Sequence, residues 1–187
     1  YHAYRHGDGA RPNADFTVHT GGAKVVIDPA NPSRWTLAME ASRSESGEAG
    51  RLTLAQYGAN RDFGRTPNDR IWIERYMPSL TYEHEVSDDT LLVTKSWMGY
   101  QDRFSRRQTG TSTNLDRQEF SFLGVDARLR HLWEAGNSEL ATTGGAVFYA
   151  SDSPRSRKRG AEPNATTGPT RFELDRRTTY GALFAEQ

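Results

Sequence analysis

Residues 121–133, SFLGVDARLRHLW, decide the fold class of this chain. Apolar and polar residues alternate along the stretch with a period of two, which is the pattern of a β-strand with one apolar and one polar face. The apolar face carries Leu123, Val125, Ala127 and Leu129, and the other face carries Gly124, Asp126, Arg128 and Arg130. Charges on one side and aliphatic groups on the other indicate that the two faces meet different surroundings.

Three other segments repeat this alternation. Residues 35–42 (WTLAMEAS) and 76–83 (YMPSLTYE) place apolar side chains at every second position, and near the end Tyr180, Ala182 and Phe184 form the apolar set. We expect Leu37, Leu80 and Phe184 to share one apolar face. Residues 90–103 alternate less cleanly, and the sequence leaves their inward face open. Helical stripes with caps are hard to find, so the prediction is an all-β chain.

The segment before Asp28 has apolar residues on both faces of a regular strand. The even set is Phe16 and Val18, and the odd set is Ala23, Val25 and Ile27. A β-bulge at Gly21–Gly22 would insert one residue and bring both sets to one face. The alternative is two short strands that meet at a turn.

Composition excludes several classes of protein. The chain has 187 residues, 24 basic and 24 acidic side chains, no cysteine and a mean hydropathy of −0.81. No run of about 18 apolar residues exists, so a transmembrane helix is excluded. Zero net charge argues against a nucleic-acid role, and thiol chemistry, disulfides and cysteine zinc sites are impossible. The chain opens on YHAY, which is typical of a strand interior, so we expect a piece of a longer protein.

Connection lengths alternate between short and long along the chain. The short ones are residues 28–33, 87–89 and 134–137, and the long ones are 5–14, 43–70, 105–117 and 152–170. A meander with all its tight turns at one end and all its long loops at the other is typical of a transmembrane β-barrel. The fold prediction is therefore an antiparallel up-and-down transmembrane β-barrel segment.

The sequence contains about eight such strands, including a truncated first one. Lipid allows no open sheet edge, so the strands must close into a barrel. Eight-stranded barrels exist, but side chains fill their interiors, whereas the loops 43–70 and 152–170 suit a wider mouth. We therefore predict a segment of a larger barrel.

A family resemblance extends over nearly the whole chain. It lies in the stretches GDGARPNADF (7–16), ASRSESGEAGRLTLAQY (41–57), IERYMPSLTYEHE (73–85), KSWMGYQDRFSRRQ (95–108), QEFSFLGVDARLRHLW (118–133) and TTYGALFAEQ (178–187). Together, in this order, they resemble TonB-dependent outer-membrane receptors, and most of all the ferric dicitrate and ferric siderophore group. The resemblance implies a 22-stranded barrel with an N-terminal plug domain. Residues 1–187 would be a central part of that barrel, without the plug, the TonB box or a signal peptide.

The resemblance also implies a function. Such a receptor binds and imports a ferric chelate, here ferric citrate or a siderophore, across the outer membrane of a Gram-negative bacterium. The TonB complex would act through the missing N-terminal part, and the barrel would be a monomer among outer-membrane lipid and lipopolysaccharide. The iron would arrive already coordinated, so no cofactor is expected. The alternatives are a passive porin, a surface-binding barrel without energy coupling and a soluble β-sandwich binding module.

Arginines near the external mouth are the candidate ligand-binding residues, because guanidinium groups bind carboxylates and phosphates bidentately. The set is Arg5, Arg11, Arg75, Arg103 and Arg106. For each of them, the competing interpretation is a solvated loop charge or a contact to lipopolysaccharide phosphate. A basic cluster at residues 155–159 is interpreted in the same way, as an anion contact or a hydrated loop tip. Asp126, Arg128 and Arg130 would pair on the lumen wall.

The sequence offers little support for metal binding or catalysis. The five histidines are His2, His6, His19, His84 and His131, and their extended context does not suit direct metal ligation. No GxSxG and no phosphate-binding loop is present, so we predict no enzyme; an outer-membrane protease or phospholipase is the alternative. Trp72 and Trp97 are expected in a girdle at a membrane interface.

Overall fold

The computed structural model describes residues 1–29, 32–135 and 138–187. It contains strands and one short helix, and no helix in these ranges is long and apolar enough to cross a membrane. The elements are β1 (His2–Gly7), β2 (Phe16–Ile27), β3 (Ser33–Gly47), α1 (Leu54–Ala59), β4 (Arg70–Ser87), β5 (Thr90–Thr109), β6 (Ser112–Ala135), β7 (Ser138–Asp152), β8 (Arg155–Gly160), β9 (Thr170–Leu174) and β10 (Arg177–Glu186).

The strands form one sheet in the order β1-β2-β3-β4-β5-β6-β7-β10, and every pair is antiparallel. Strand neighbours in the sheet are neighbours in the sequence, apart from the step from β7 to β10. The path has eight strands, as predicted, and its two edges, β1 and β10, are open in this chain. The arrangement is an up-and-down meander.

Strands β8 and β9 extend this meander. The pairing of β6 with β7 ends at Ser121↔Asp152, and its pairing with β8 resumes in the same register at Gln118↔Arg155. The N–H of Glu119 donates to the carbonyl oxygen of Pro154 at 3.0 Å and bridges the gap. Strand β9 pairs with β8 in the register that β10 keeps with β7, from Asp152↔Arg177 to Arg155↔Leu174, so β9 extends the line of β10. The predicted loop 152–170 therefore contains a strand, β8, while residues 153–154 and 161–169 lie outside strands, and the basic cluster at 155–159 lies in β8.

The register gives the sheet two faces. We call outer the face that carries the row Val25, Leu37, Leu80, Ser96, Val125 and Phe148, and inner the face opposite. The alternation predicted for residues 35–42, 76–83 and 121–133 is confirmed. Residues 90–103, left open by the sequence, place Lys95, Trp97 and Arg103 on the inner face.

Large apolar side chains stay uncovered on the outer face. Leu37 is 45% exposed and Leu129 is 48% exposed, and the buried apolar residues within the described ranges are Ala49 and Leu115 alone. Aromatic residues border this band. The ring centroids of Trp35 and Tyr82 lie 4.2 Å apart near one end, and Tyr76 and Tyr100 are register partners near the other. An apolar band between aromatic girdles is typical of a barrel wall that faces lipid, whereas a soluble sandwich buries such side chains.

Phe184 does not share that face, contrary to the sequence prediction. It pairs with Gly145 on the inner face, where the guanidinium of Arg128 lies 5.4 Å from its ring centroid. Leu183, 87% exposed, takes the outer position. Both parities of residues 180–184 contain apolar side chains, so the sequence pattern is ambiguous there. The glycine at 145 decides the register, because only a residue without a side chain leaves room for the Phe184 ring.

The predicted bulge at Gly21–Gly22 is also wrong, as is the alternative of two separate strands. The register of β2 with β3 is continuous from Phe16↔Ser46 to Ile27↔Trp35. Phe16 therefore lies on the inner face, where its ring packs over Gly7. The physical reason is position along the strand. Phe16 lies beyond the end of the apolar band. Apolar side chains are required on the outer face only within that band, so Phe16 can face inward.

The connections agree with the prediction at most of the sites that the structure describes. Strand β4 joins β5 through Asp88–Asp89, and long connections follow β1 and β3, the latter with the capped helix α1. Besides β8 within 152–170, residues 105–117 are an exception, since β5 and β6 pair up to a turn at Gly110 and Thr111, where Gly110 has φ +62°. The turns 28–33 and 134–137 lie partly outside the described residues.

Candidate ligand-binding site on the inner wall

One row of inner-face residues crosses the sheet beyond the aromatic girdle, on the side of the long connections. It consists of Arg5, Val18, Ser44, Ile73, Arg103, Gln118, Arg155 and Leu174. The next row places Arg75 between Ser42 and Gln101. Between the arginines, these rows carry serine and glutamine side chains and the aliphatic Val18, Ile73 and Leu174. The arginines are therefore the main hydrogen-bond donors of this part of the wall. We call these two rows the arginine wall.

Three of the five predicted arginines lie on this wall. Among the described residues, the guanidinium groups of Arg5, Arg75 and Arg103 have no salt-bridge or side-chain hydrogen-bond partner. Most arginines on neighbouring strand ends are paired instead, such as Arg70 with Asp15 at 2.9 Å and Arg117 with Asp102 at 2.8 Å. Unpaired cations on one face are free to bind an anion.

Arg106 lies on the opposite face and is already engaged. Its Nε donates to the carbonyl oxygen of Asn68 at 2.8 Å, and its guanidinium sits 5.7 Å from the ring centroid of Trp72. Trp72 also contacts Phe104, at 5.3 Å between ring centroids. The structure therefore does not bring Arg106 together with Arg103, and a ligand contact by Arg106 stays a prediction.

Arg11 lies in a separate group of charged residues beyond the arginine wall, on the long connections, and we call this group the rim. It lines a cleft with Arg51, Arg65 and Arg107 and with two carboxylates, Glu48 and Asp69. Arg107 pairs with Glu48 at 3.2 Å. Burial raises the pKa of Asp69 above its ordinary value, although a hydrogen bond from the backbone of Gln108 opposes this. The rim therefore has an excess of positive charge.

Asn13 holds this rim together, a role that no pattern in the sequence indicates. Its Nδ2 carries two N–H donors and lies within hydrogen-bond distance of three carbonyl oxygens, those of Glu48 (3.1 Å), Thr66 (2.7 Å) and Asp69 (2.8 Å). Its own backbone has φ +57°, a conformation that asparagine tolerates better than most residues. The contacts fasten the β1–β2 connection, which carries Arg11, to the β3–β4 connection.

Asp116 was also missed by sequence reasoning. It binds two arginines of β8: Arg155 donates through Nε and Nη2 at 2.9 and 2.7 Å, and Arg157 through Nε and Nη2 at 3.0 and 2.8 Å. Burial would raise the pKa of the Asp116 carboxyl, but the hydrogen bonds from Arg155 and Arg157 outweigh it and lower the pKa. Arg155 and Arg157 are two residues apart, which is the spacing of side chains on one face of a β-strand, so the sequence carried a signal for strand β8.

Below the arginine wall, the inner face is aromatic. Phe122 lies 5.4 Å from Phe120 and 6.2 Å from Tyr149, and Trp97 packs over Gly124. Trp97 is therefore not a girdle residue, because its ring points inward. Trp72 faces outward, but a charged row that includes Glu74 and Asp102 separates it from Tyr76, so it too lies outside the girdle.

Other predicted residues take clear positions. Arg128 pairs with Asp126 at 2.7 Å along the same strand, whereas Arg130 has no ion-pair partner among the described residues. All five histidines lie on the outer face by register, for example His84, which contacts Ser33 at 2.9 Å. Within the described ranges, no three His, Asp or Glu side chains are grouped closely enough to hold a metal ion.

Comparison with solved structures identifies the fold. The unliganded ferric citrate transporter FecA matches with a TM-score of 0.86 and 17% identity over 94% of this chain and 27% of that chain. BauA, the ferric preacinetobactin receptor from Acinetobacter baumannii, matches with a TM-score of 0.70 and 10% identity over 95% of this chain and 31% of that chain.

Sequence comparison adds no relative: no family model and no curated protein matches this chain. The chain spans about a third or less of each of the two solved structures. The predicted fold is nevertheless confirmed, since the open antiparallel meander covers nearly the whole chain in both comparisons. This chain has the fold of a β-barrel segment of receptors like FecA and BauA.

Proposed function

We propose that this chain is part of the barrel of a TonB-dependent receptor that binds an anionic ferric chelate, such as ferric citrate or a siderophore, and imports it across the outer membrane. The two solved structures are named for ferric citrate transport and for binding ferric preacinetobactin. The observation that carries the proposal is the set of unpaired inner-face arginines, Arg5, Arg75 and Arg103. The chelate's carboxylates or other anionic oxygens would accept their hydrogen bonds.

Electrostatics favours binding of an anion at this position. A hydrogen bond to a charged group contributes about 1.5–3 kcal/mol, so two or three arginines would supply much of the affinity of a micromolar ligand. The basic rim, with Arg11, Arg51 and Arg65, would raise the local concentration of an anionic chelate before it reaches the wall. The positive charge of the rim is local, since the whole chain has a net charge of zero.

Binding of ferric citrate to the whole receptor tests the proposal. Arg75→Gln and Arg103→Gln should each weaken binding about tenfold, because each removes a charge-assisted hydrogen bond. Arg43→Gln is the matched control: Arg43 lies at a similar height on β3, but it faces outward and pairs with Glu74 at 3.4 Å. Unchanged affinity for both ferric citrate and ferric siderophores in the inner-wall variants would refute the binding site.

A passive porin is the second candidate. A porin has a polar, water-filled interior, whereas this inner wall carries Trp97, Phe120, Phe122 and Tyr149 below the arginines. These aromatic rings favour an interior filled by protein. Uptake of radiolabelled ferric citrate should therefore stop in cells that lack TonB. Continued uptake there, with a matching permeability of reconstituted vesicles, would support the porin.

A further inference from the structure

Two arginines share one carboxylate on the inner face, in the strand extensions beyond the aromatic girdle. Arg155 and Arg157 of β8 both bind Asp116 of β6, and the shortest contacts are 2.7 and 2.8 Å. The side chain of Asp116 is 17% exposed, whereas those of Arg155 and Arg157 are 39% and 45% exposed. The carboxylate is therefore enclosed, while the guanidinium groups face open space. We call this group the Asp116 clamp.

The clamp retains binding capacity. One carboxylate neutralises one guanidinium, so the group carries a net positive charge. Each arginine uses Nε and Nη2 on Asp116, and Nη1 of Arg155 and of Arg157 has no hydrogen-bond partner among the described residues. A guanidinium presents five N–H donors in a fixed fork, and Asp116 restricts the orientation of both forks. Their free donors are therefore preorganised for a second anion.

The clamp lies beside the arginine wall. Arg103, Gln118 and Arg155 are direct neighbours in one inner-face row across three adjacent strands. Neighbouring strands are about 4.8 Å apart, so Arg103 and Arg155 are separated by about 10 Å. Between them, Gln118 is held by a hydrogen bond from its Nε2 to Ser153 Oγ at 3.1 Å. A ligand in contact with Arg103 would have to extend across Gln118 to reach the clamp.

A purely structural role accounts for only part of this arrangement. Arg117 and Asp102 form a bidentate pair of the same geometry between β5 and β6, but on the outer face, and one arginine suffices there. Strand β8 is moreover held to β6 by backbone pairing from Thr113↔Gly160 to Gln118↔Arg155. Neither the pairing of Asp116 nor the attachment of β8 requires the second arginine.

We propose that Arg155 and Arg157, oriented by Asp116 as a positioning residue, form a second anion-binding subsite, and that this receptor's ligand is a polycarboxylate chelate that spans from Arg103 to the clamp. The inference rests on the proposed function, because it names the substrate class of the same inner wall. A chelate with separated carboxylates engages both subsites at once. A chelate without exposed carboxylates gains nothing from the clamp.

The test compares two probes on the whole receptor: ferric citrate, and a neutral ferric trihydroxamate. Arg157→Gln leaves the bidentate Arg155–Asp116 pair in place, so the variant should fold normally. It should weaken ferric citrate binding about tenfold and leave trihydroxamate binding unchanged. Arg157→Lys should restore only part of the affinity, because an ammonium group lacks the planar fork. Arg117→Gln, on the outer face, is the matched control and should bind as the wild type does.

Asp116→Asn tests the positioning role. The two arginines then repel each other without a shared anion, so ferric citrate affinity should fall and become more sensitive to salt, with surface exposure of the receptor as the check on folding. Wild-type affinity for ferric citrate in Arg157→Gln and Asp116→Asn, together with loss in Arg103→Gln, would overturn the clamp and keep the proposed function. Wild-type affinity in all three variants would overturn both.

Discussion

The apolar band and the strand extensions beyond it belong to the same ten-stranded sheet, yet different forces organise them. In the band, Leu37, Leu80 and Val125 share one face because that face meets an apolar solvent. Beyond it, β6 continues for nine residues past Ser121 to Ser112, about 30 Å along the strand. There both faces meet water, and side-chain contacts such as the Asp116 clamp take over.

This difference explains why the sequence predicted the strands of the apolar band but not those of the extensions. A one-residue slip in the band would turn every apolar side chain away from lipid, so the alternation there is strict. No such penalty applies to residues 105–117, whose polar side chains on both faces are compatible with either a loop or a strand. The pairing partner, β8, decides in favour of a strand.

The largest effect should come from a charge placed in the band. Leu80→Arg on the outer face should destabilise the barrel by about 2–4 kcal/mol, the cost of an arginine near the bilayer midplane. Ser79→Arg, one residue away on the inner face, should cost far less. Reversible unfolding in lipid vesicles measures both variants. Equal destabilisation would break the distinction between the two faces.

A smaller effect should separate two adjacent glycines of β7. A Cβ at Gly145 would lie 2.5 Å from the carbonyl oxygen of Ala127 and 2.6 Å from the Phe184 ring, whereas a Cβ at Gly144 would have its nearest neighbour at 3.9 Å. Gly145→Ala should therefore cost about 1–3 kcal/mol through overpacking. Gly144→Ala should leave the unfolding midpoint nearly unchanged. The reverse order would place Phe184 on the outer face after all.

At the rim, Asn13→Ala should loosen the β3–β4 connection without unfolding the band. The change removes the donor that three carbonyl oxygens share, but each keeps a second donor: Thr66 Oγ1 for Glu48, the Asp69 N–H for Thr66 and the Glu48 N–H for Asp69. The expected cost is therefore that of lost hydrogen bonds, about 0.5–1.5 kcal/mol. Trypsin should cleave faster at Arg51, Arg61 and Arg65. Asn164→Ala, in the connection between β8 and β9, is the control and should cleave at the wild-type rate, because that connection is separate from the one between β3 and β4. Unchanged cleavage in Asn13→Ala would mean that other contacts fasten the rim.

The smallest effect concerns pH. The folded-state pKa of Asp116 is below its ordinary value of 3.8, so the clamp's contribution to stability is fully present above that value and is lost as the pH falls through the folded pKa. The stability difference between wild type and Asp116→Asn should be constant from pH 7 down to about pH 5 and vanish only in strong acid. A difference that disappears near pH 5 would contradict the bidentate geometry.

Much of the candidate site was accessible from the sequence, but its grouping was not. Arg5, Arg75 and Arg103 were named from their places near strand ends, and the register puts all three on one face. Arg106 has the same chemistry and lies three residues from Arg103, but the odd spacing places it opposite. Asn13 and Asp116 could not be found, because their partners are 35 to 56 and 39 to 41 residues away in the chain.

The sequence by itself determined the all-β class, the up-and-down order and the lipid-facing side of the central strands, because a period of two in an apolar environment leaves one solution. Tertiary structure alone decided the side of Phe184, the continuity of β2 and the strand character of residues 105–117. Those features depend on what lies across the sheet: a glycine at 145, a regular β3, and the paired arginines of β8. Local pattern carries no information about such partners where both faces are wet or both parities are apolar.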